Sequence, residues 1–302
     1  MRYNLARPLR YQVESIMTLK RRARIAAFRT LQNVGFHVVP NHFYEPVPDT
    51  RGIPEKSWAP SDMVGIDLRP EFQVELLNRF RAYKQEYDAM ARELFTSKNG
   101  TFGRVDGEIL YCMVREFKPE RIVEIGSGYS TVIASRAMAK NQRGSITAIE
   151  PYPASILRTL PEFVTVRPCP VQEVPLSEFE SLGQNDILFI DSSHVLKEGS
   201  DVQYEYMEIL PRIQPGVFVH VHDIFLPWPY PRRWVTEELR FWNEQSVLQS
   251  LLTWSSRYEV IWGSQFMYRK HADLLHGAFD SMATWEDGPG SFWLRVVPPR
   301  AN

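Results

Sequence analysis

Cysteine is scarce, with only Cys112 and Cys169 in 302 residues. Two thiols build neither a disulfide framework nor a zinc pattern, and a buried free thiol is the default reading for each. An excess of one charge is also missing. Thirty-five Lys and Arg stand against 36 Asp and Glu, a formal net charge of -1. Without a basic surplus there is no general attraction for nucleic acid or for an anionic membrane. Nowhere is there a run of roughly eighteen apolar residues, the length a helix needs to span a bilayer. The first thirty residues show no apolar core ahead of a small-residue cleavage site, so a secretory leader is not expected and the cytoplasm is the simplest location. Internal repeats and low-complexity tracts are absent.

What is present is ordinary globular composition, 44% hydrophobic and 24% charged. The organisation changes along the chain. Residues 1–40 read as helical, with Ile16, Leu19, Ile25, Phe28 and Leu31 near helical spacing and a basic cluster from Lys20 to Arg29 read as a solvated face. Five prolines between Pro40 and Pro60 exclude continuous helix there and predict an extended, ordered wrap. Helix returns over 70–97 and 107–117. From residue 121 short β-rich runs alternate with helical ones. Strands are expected at 121–125, 146–149, 164–166, 187–190 and 216–222, with helices over 130–140 and 197–212. A helix near 235–245 and strands near 258–262 and 292–297 complete the pattern. Short apolar strands alternating with helices predict an α/β fold with a mostly parallel sheet covered on both faces. The expected division is a helical and Pro-rich extension, 1–100, packed on a catalytic domain, 101–302.

The segment 123–130, Val-Glu-Ile-Gly-Ser-Gly-Tyr-Ser, carries the chemistry. A strand feeds a turn containing Gly126 and Gly128, and a helix follows. Glycines let a ligand approach the main chain and the helix N-terminus closely. The dinucleotide pattern G-x-G-x-x-G would place a third glycine at 131, where Thr131 stands.

Glu124-x-Gly126-x-Gly128 resembles motif I of the class I S-adenosylmethionine-dependent methyltransferases, and Glu150, ending the second strand, is similar to that family's ribose-binding acid. The order of parts over roughly residues 100–300 is more specific than any one motif. The nearest subgroup is the small-molecule O-methyltransferases of the Methyltransf_24 kind, which have a similar Asp-x-x-His after strand four (here Asp191 to His194) and His-Asp after strand five (here His222-Asp223). The resemblance implies a Rossmann-like sheet, mostly parallel with a terminal antiparallel strand. It also implies a cofactor site at Glu124, Gly126, Ser127, Gly128, Tyr129, Ser130, Glu150 and Asp191. Chemistry supports these roles: methionine's ammonium needs an acceptor, its carboxylate needs main-chain donors, and a ribose diol suits a bidentate carboxylate one βαβ step later. Gln172 and Glu173, after the third strand, are candidates for the adenine.

Strands four and five also gather His194, His222 and Asp223 near the expected methyl group. Two readings stay open. In one, His194 or His222 is the general base that deprotonates an acceptor hydroxyl. In the other, Asp191, His222 and Asp223 bind a divalent ion, Mg, Mn, Fe or Zn, that acidifies the hydroxyl directly. The second resembles catechol-type enzymes, although histidine-aspartate stands here where that pattern has aspartate-asparagine. His220, two residues before His222, is read as a hydrogen-bonded core residue. The loop 225–234, rich in Pro, Trp and Tyr, is either an aromatic wall for the substrate or a packed lid. The expected activity is O-methylation of a small metabolite or natural product. The alternatives are an NAD-dependent oxidoreductase and a non-catalytic S-adenosylmethionine-binding protein. Partners are limited to the small-molecule acceptor, with self-association through the N-terminal extension left open.

Overall fold

In a computed structural model of the chain, residues 22–94, 102, 104–279 and 287–298 are described. The expected helix upstream of residue 22 lies outside them. Two compact units divide between Ile53 and Pro54, upstream of the boundary at residue 100 suggested by composition. In the first unit, a helix α1 (22–32) is followed by turns and bends. There Phe28 stacks on His37, with ring centroids 5.3 Å apart, and Asp49 accepts from both Asn41 and Arg51.

The second unit is built on a seven-stranded sheet of order β3-β2-β1-β4-β5-β7-β6. Its strands are β1 (Arg121–Ile125), β2 (Ser145–Ile149), β3 (Val164–Arg167), β4 (Ile187–Ile190), β5 (Phe218–Val221), β6 (Tyr258–Gly263) and β7 (Phe292–Val296). Strands β1 to β5 pair in parallel, and β7 runs antiparallel between β5 and β6. This is the mostly parallel Rossmann-like sheet with a reversed last strand that the sequence implied.

Helices cover both faces. On one lie α2 (Pro70–Phe80), α3 (Lys84–Leu94), α4 (Arg104–Phe117) and α5 (Tyr129–Asn141), with α10 (Ser264–Lys270) and α11 (Ala272–Ala278) near the far edge. Leu76, Phe80, Tyr87, Ile109, Met113 and Ile133 pack there with Ile122, Ile187, Phe189 and Trp293 of the sheet. The helical segment 70–94 thus shares a core with the strands. The other face meets α6 (Leu176–Glu180), α7 (Asp201–Tyr204) and α9 (Glu244–Leu252), where Phe179, Val202 and Leu248 pack with Val123, Leu188, Ile190 and Val219. Alternating strand residues fall into the two cores, as the two-residue period of a strand requires.

Three helical expectations change in detail. The segment 70–97 is broken by a 3-10 turn at Arg81–Tyr83, and its last three residues lie outside the described ones. The segment 197–212 is one α turn, α7, continued by a π turn (Glu205–Ile209) and a 3-10 turn (Leu210–Arg212). A single helix near 235–245 is replaced by α8 (Arg232–Thr236) and the later α9, since residues 237–243 fold as an aromatic loop.

A candidate methyl-transfer site on one edge of the sheet

The chain leaves β1 for β2 and β3, then returns to β4 on the other side of β1. The strand order reverses there, which opens a crevice at the C-terminal ends of β1 and β4. The register aligns Ile149, Ile125, Ile190 and Val221 across the edge, and Val221 faces Phe292 of β7. The residues one step beyond these pairs are Glu150, Gly126, Asp191, His222 and Ser291. They form a single row. Main-chain bonds lock it: Gly126 N donates to Ile149 O (3.0 Å), Asp191 N to Ile125 O (2.8 Å) and His222 N to Ile190 O (2.9 Å).

The glycine turn is built for close approach. Gly126 has φ +78, and a Cβ there would sit 1.9 Å from the Asp191 carbonyl oxygen, so only glycine lets β1 and β4 end side by side. Gly128 is different. A Cβ on it meets nothing within 4 Å, leaving open space at the start of α5. Thr131, in place of a dinucleotide-type third glycine, is fully buried, and its Oγ1 accepts from Gly128 N at 3.1 Å. Glu150 lies beside the turn, accepting from Ser127 N (3.2 Å) and Tyr152 N (2.8 Å). Ser130 Oγ donates to Glu124 Oε1 at 2.5 Å, while Glu124 Oε2 and Ser127 Oγ are buried without a hydrogen-bond partner. Burial pushes the Glu124 carboxyl up to about 8, against the hydroxyls of Ser130 and Thr131. Orphaned acceptors next to an uncovered backbone fit an amino-acid ligand, so these residues suit S-adenosylmethionine. Tyr129 opens α5, half-buried. Gln172 and Glu173 lie exposed on a turn after β3, where the Gln172 amide donates to Gly199 O.

Beyond β4 and β5, two imidazoles share two carboxylates. His194 Nε2 lies 3.5 Å from Asp191 Oδ1 and 3.6 Å from Asp223 Oδ2; His222 Nδ1 lies 3.5 Å from Asp191 Oδ1 and 3.6 Å from Asp223 Oδ1. His194 and Asp223 are held in the left-handed region, at φ +61 and +53, conformations that non-glycine residues keep only where the surroundings enforce them. The side chains of Asp191 and Asp223 remain 26% and 20% exposed, so the group opens to solvent on the carboxylate side.

Each imidazole is also backed by a buried acid that motif reasoning did not single out. Asp106 on α4 stands 3.5 Å from His222 Nε2 and accepts from the main-chain N–H groups of Gly290 and Ser291. Glu244, first residue of α9, accepts from His194 Nδ1 at 2.9 Å. Phe102 stacks on His222 at 4.9 Å and Trp242 lies against His194 at 4.4 Å. Neither acid sits in a recognisable spacing, and only a buried charge on an otherwise apolar helix face could have pointed to Asp106.

Charge states follow from this packing. Burial alone would lower both imidazoles, but the carboxylates outweigh it. His194 rises to about 10 and His222 well above its ordinary value. Burial pushes Asp223 up, whereas the two imidazoles hold Asp191 well below the usual carboxylate range despite its own desolvation. Asp191, His222 and Asp223, the residues expected to hold a metal, lie together as ion-pair partners. Among the described residues no group of three or more His, Cys, Asp or Glu is arranged to hold a metal ion. In this arrangement both carboxylates are paired with the two imidazoles. His220 is a core residue, as expected. It stacks on Phe189 at 3.9 Å and pairs with Ser291 Oγ at 2.9 Å, and burial pushes its pKa well down.

The aromatic loop is mostly packed on itself. Phe225, Tyr230 and Trp234 form a small core with Trp242, and Gln245 pins the loop through Phe225 N, Trp228 O and Tyr230 OH. Of its rings, Trp242 is the one that reaches His194.

A Rossmann-like sheet binds a nucleoside-bearing ligand at the glycine turn where its strand order reverses. Comparison with known proteins agrees. Residues 123–224 match the family model Methyltransf_24, described as a methyltransferase domain. An uncharacterized protein of Archaeoglobus fulgidus is 33% identical over 173 residues, 52% of this chain and 78% of that protein. Among solved structures, the chain is similar to the S-adenosylhomocysteine-bound methyltransferase PaMTH1 of Podospora anserina (15% identity, 77% of this chain and 98% of that one, TM-score 0.43). It is also similar to the S-adenosylmethionine-bound O-methyltransferase TomG of Streptomyces achromogenes (16% identity, 74% and 90%, TM-score 0.44). The chain belongs to this methyltransferase family and is an S-adenosylmethionine-dependent methyltransferase.

Proposed function

We propose that the protein methylates an oxygen of a small hydroxylated molecule that enters over Asp191 and Asp223. The observation that carries this reading is the single row of strand-end residues, in which the ribose-type acid, the glycine turn and the acid/imidazole group lie side by side. S-adenosylmethionine supplies a methyl group made electrophilic by its positive sulfur. Glu150 is proposed to hold the ribose hydroxyls, and the Ser127 and Gly128 main chain with Glu124 to hold the methionyl end.

The surroundings of the imidazoles support a particular division of labour. His194 and His222 keep their protons near neutral pH, so each acts as a charged donor to the acceptor oxygen as negative charge gathers there. The acceptor proton passes to Asp223, which burial makes a stronger base than an ordinary aspartate. Asp191 keeps both imidazoles charged. Holding the oxygen in line with the methyl group is the remaining task, and the rigid row suits it.

The near-zero net charge supports a small-molecule acceptor over nucleic acid. No helix among the described residues is long and apolar enough to cross a membrane, and we place the protein in the cytoplasm. Self-association through the N-terminal unit stays part of the proposal and is read by light scattering.

The test is calorimetry with S-adenosylhomocysteine, followed by transfer from labelled S-adenosylmethionine to a panel of phenols, sugars and aliphatic alcohols. Saturable binding and an O-methyl product are expected; binding with methyl found solely on nitrogen or carbon would refute the assignment. Protein dialysed against a chelator is expected to turn over as fast as protein given magnesium or manganese. A strict requirement for added metal would mean that Asp191, His222 and Asp223 open to a cation.

A further inference from the structure

His194 is held unusually firmly for a loop residue. Its carbonyl accepts from the backbone N–H groups of both Asn243 (3.1 Å) and Glu244 (3.2 Å). The Asn243 side chain closes the same clamp, accepting from Leu196 N at 2.6 Å and donating to Leu196 O at 3.3 Å. Trp242 covers one ring face, and Glu244, fully buried, takes Nδ1. An acid at the first position of α9 also suits the positive end of that helix.

A second polar layer lies behind Glu244. The π turn of the segment after α7 buries Glu205 and Tyr206, whereas a regular helix would have carried the following residues around a tighter turn. Glu205 Oε2 accepts from Ser192 Oγ at 3.0 Å, one residue after Asp191. Glu205 Oε1, Glu244 Oε1 and Tyr206 OH are buried without a partner that meets hydrogen-bond geometry. Glu205 is pushed well up by burial and then by the charge of Glu244, and Glu244 faces the His194 ring. Burying acids is costly unless they are paired and hydrogen-bonded.

We propose that Glu244 is a positioning residue: through Nδ1 it fixes the His194 ring so that Nε2 points into the gap between Asp191 and Asp223, with Glu205, Tyr206 and Ser192 as its buried support. Glu244 touches neither donor nor acceptor and acts through His194. The inference rests on the role given to His194 above, but its geometry is testable without turnover.

The experiment uses the full chain labelled with 15N-histidine, with the His194 signals assigned by comparison with His194→Gln. In the wild type, a downfield Nδ1–H proton bonded to a carboxylate is expected for His194; its absence overturns the proposal, even if no acceptor is found. In Glu244→Gln, that signal should move upfield. S-adenosylhomocysteine affinity should stay within about twofold and acceptor KM within about threefold, while kcat falls about 100-fold, the scale of a lost protonic group. Glu244→Asp, which keeps the charge on a shorter arm, should recover part of the loss. A Glu244→Gln variant that binds S-adenosylhomocysteine normally and keeps kcat within about threefold would overturn the role. Failure of wild type to bind S-adenosylhomocysteine would instead overturn the functional reading and leave the spectroscopic result standing.

Discussion

At the scale of single residues, the two glycines of the turn do different work. In Gly126→Ala the new methyl would meet the Asp191 carbonyl at 1.9 Å, with φ at +78. Backbone cannot swing aside as a side chain does, so the cost is expected to exceed about 3 kcal/mol in urea denaturation. Gly128→Val adds its side chain to open space. Its denaturation midpoint should stay near wild type while S-adenosylhomocysteine affinity falls at least about tenfold. Equal destabilisation of both variants would contradict this separation. Glu124 gives a sharper test. It holds a proton up to about pH 8 with one orphaned oxygen. An ammonium group arriving there favours the carboxylate, so binding near pH 7 should release a proton. Calorimetry in buffers of different ionisation enthalpy measures this, and Glu124→Gln should abolish the buffer dependence.

Much of the turn was legible in the sequence, because close approach of backbone leaves a visible demand for glycine. Thr131 was legible as a departure but not as a substitute; that its hydroxyl satisfies Gly128 N follows only once α5 is built. Asp106 and Glu244 were illegible for a different reason. Their partners are 116 and 50 residues away in the chain, and no local spacing marks a carboxylate that meets an imidazole across the fold.

At the scale of elements, strands β1 and β4 begin and end where apolar, β-branched runs predict, because a strand buried on both faces carries that composition along its whole length. Helices on the β4–β5 side fared worse. Glu205 and Tyr206 look like ordinary helical residues, and the π turn that buries them answers to the polar layer behind His194 rather than to periodicity. The aromatic loop likewise hid the break between α8 and α9. Asp106 carries an element-scale prediction. It ties α4 to the 290–291 segment and backs His222. Asp106→Ala strands two main-chain donors and a buried imidazolium, and a loss of roughly 3 kcal/mol in unfolding free energy is expected. Asp106→Asn keeps an oxygen for those N–H groups and should recover part of it. A change below about 0.5 kcal/mol in the alanine variant would show the tie to be idle.

For the whole molecule, the raised groups set the direction of pH dependence. Glu124 has a folded pKa of about 8 against an ordinary 4.5, so its contribution to stability is complete below pH 4.5 and is lost as pH rises through 8. His194, at about 10 against 6.5, contributes fully below 6.5 and loses that contribution through 10. The two act in the same sense. Unfolding free energy should decline from about pH 5.5 to 9.5, most steeply between 6.5 and 8 where the two windows overlap, and Glu124→Gln should flatten the lower half of the slope. Stability that climbs over this range would mean that the site carries fewer protons than its geometry implies.

The locked row of strand ends has a consequence for how such enzymes diversify. The residues proposed for methyl-donor recognition and proton handling sit in β-ladder register, where a one-residue slip would scatter every participant at once. The aromatic connection at 225–242 has its own small core and only Trp242 touching the imidazoles, so it is the exchangeable part. Exchanging that connection is expected to alter acceptor preference while leaving the row of strand ends in place.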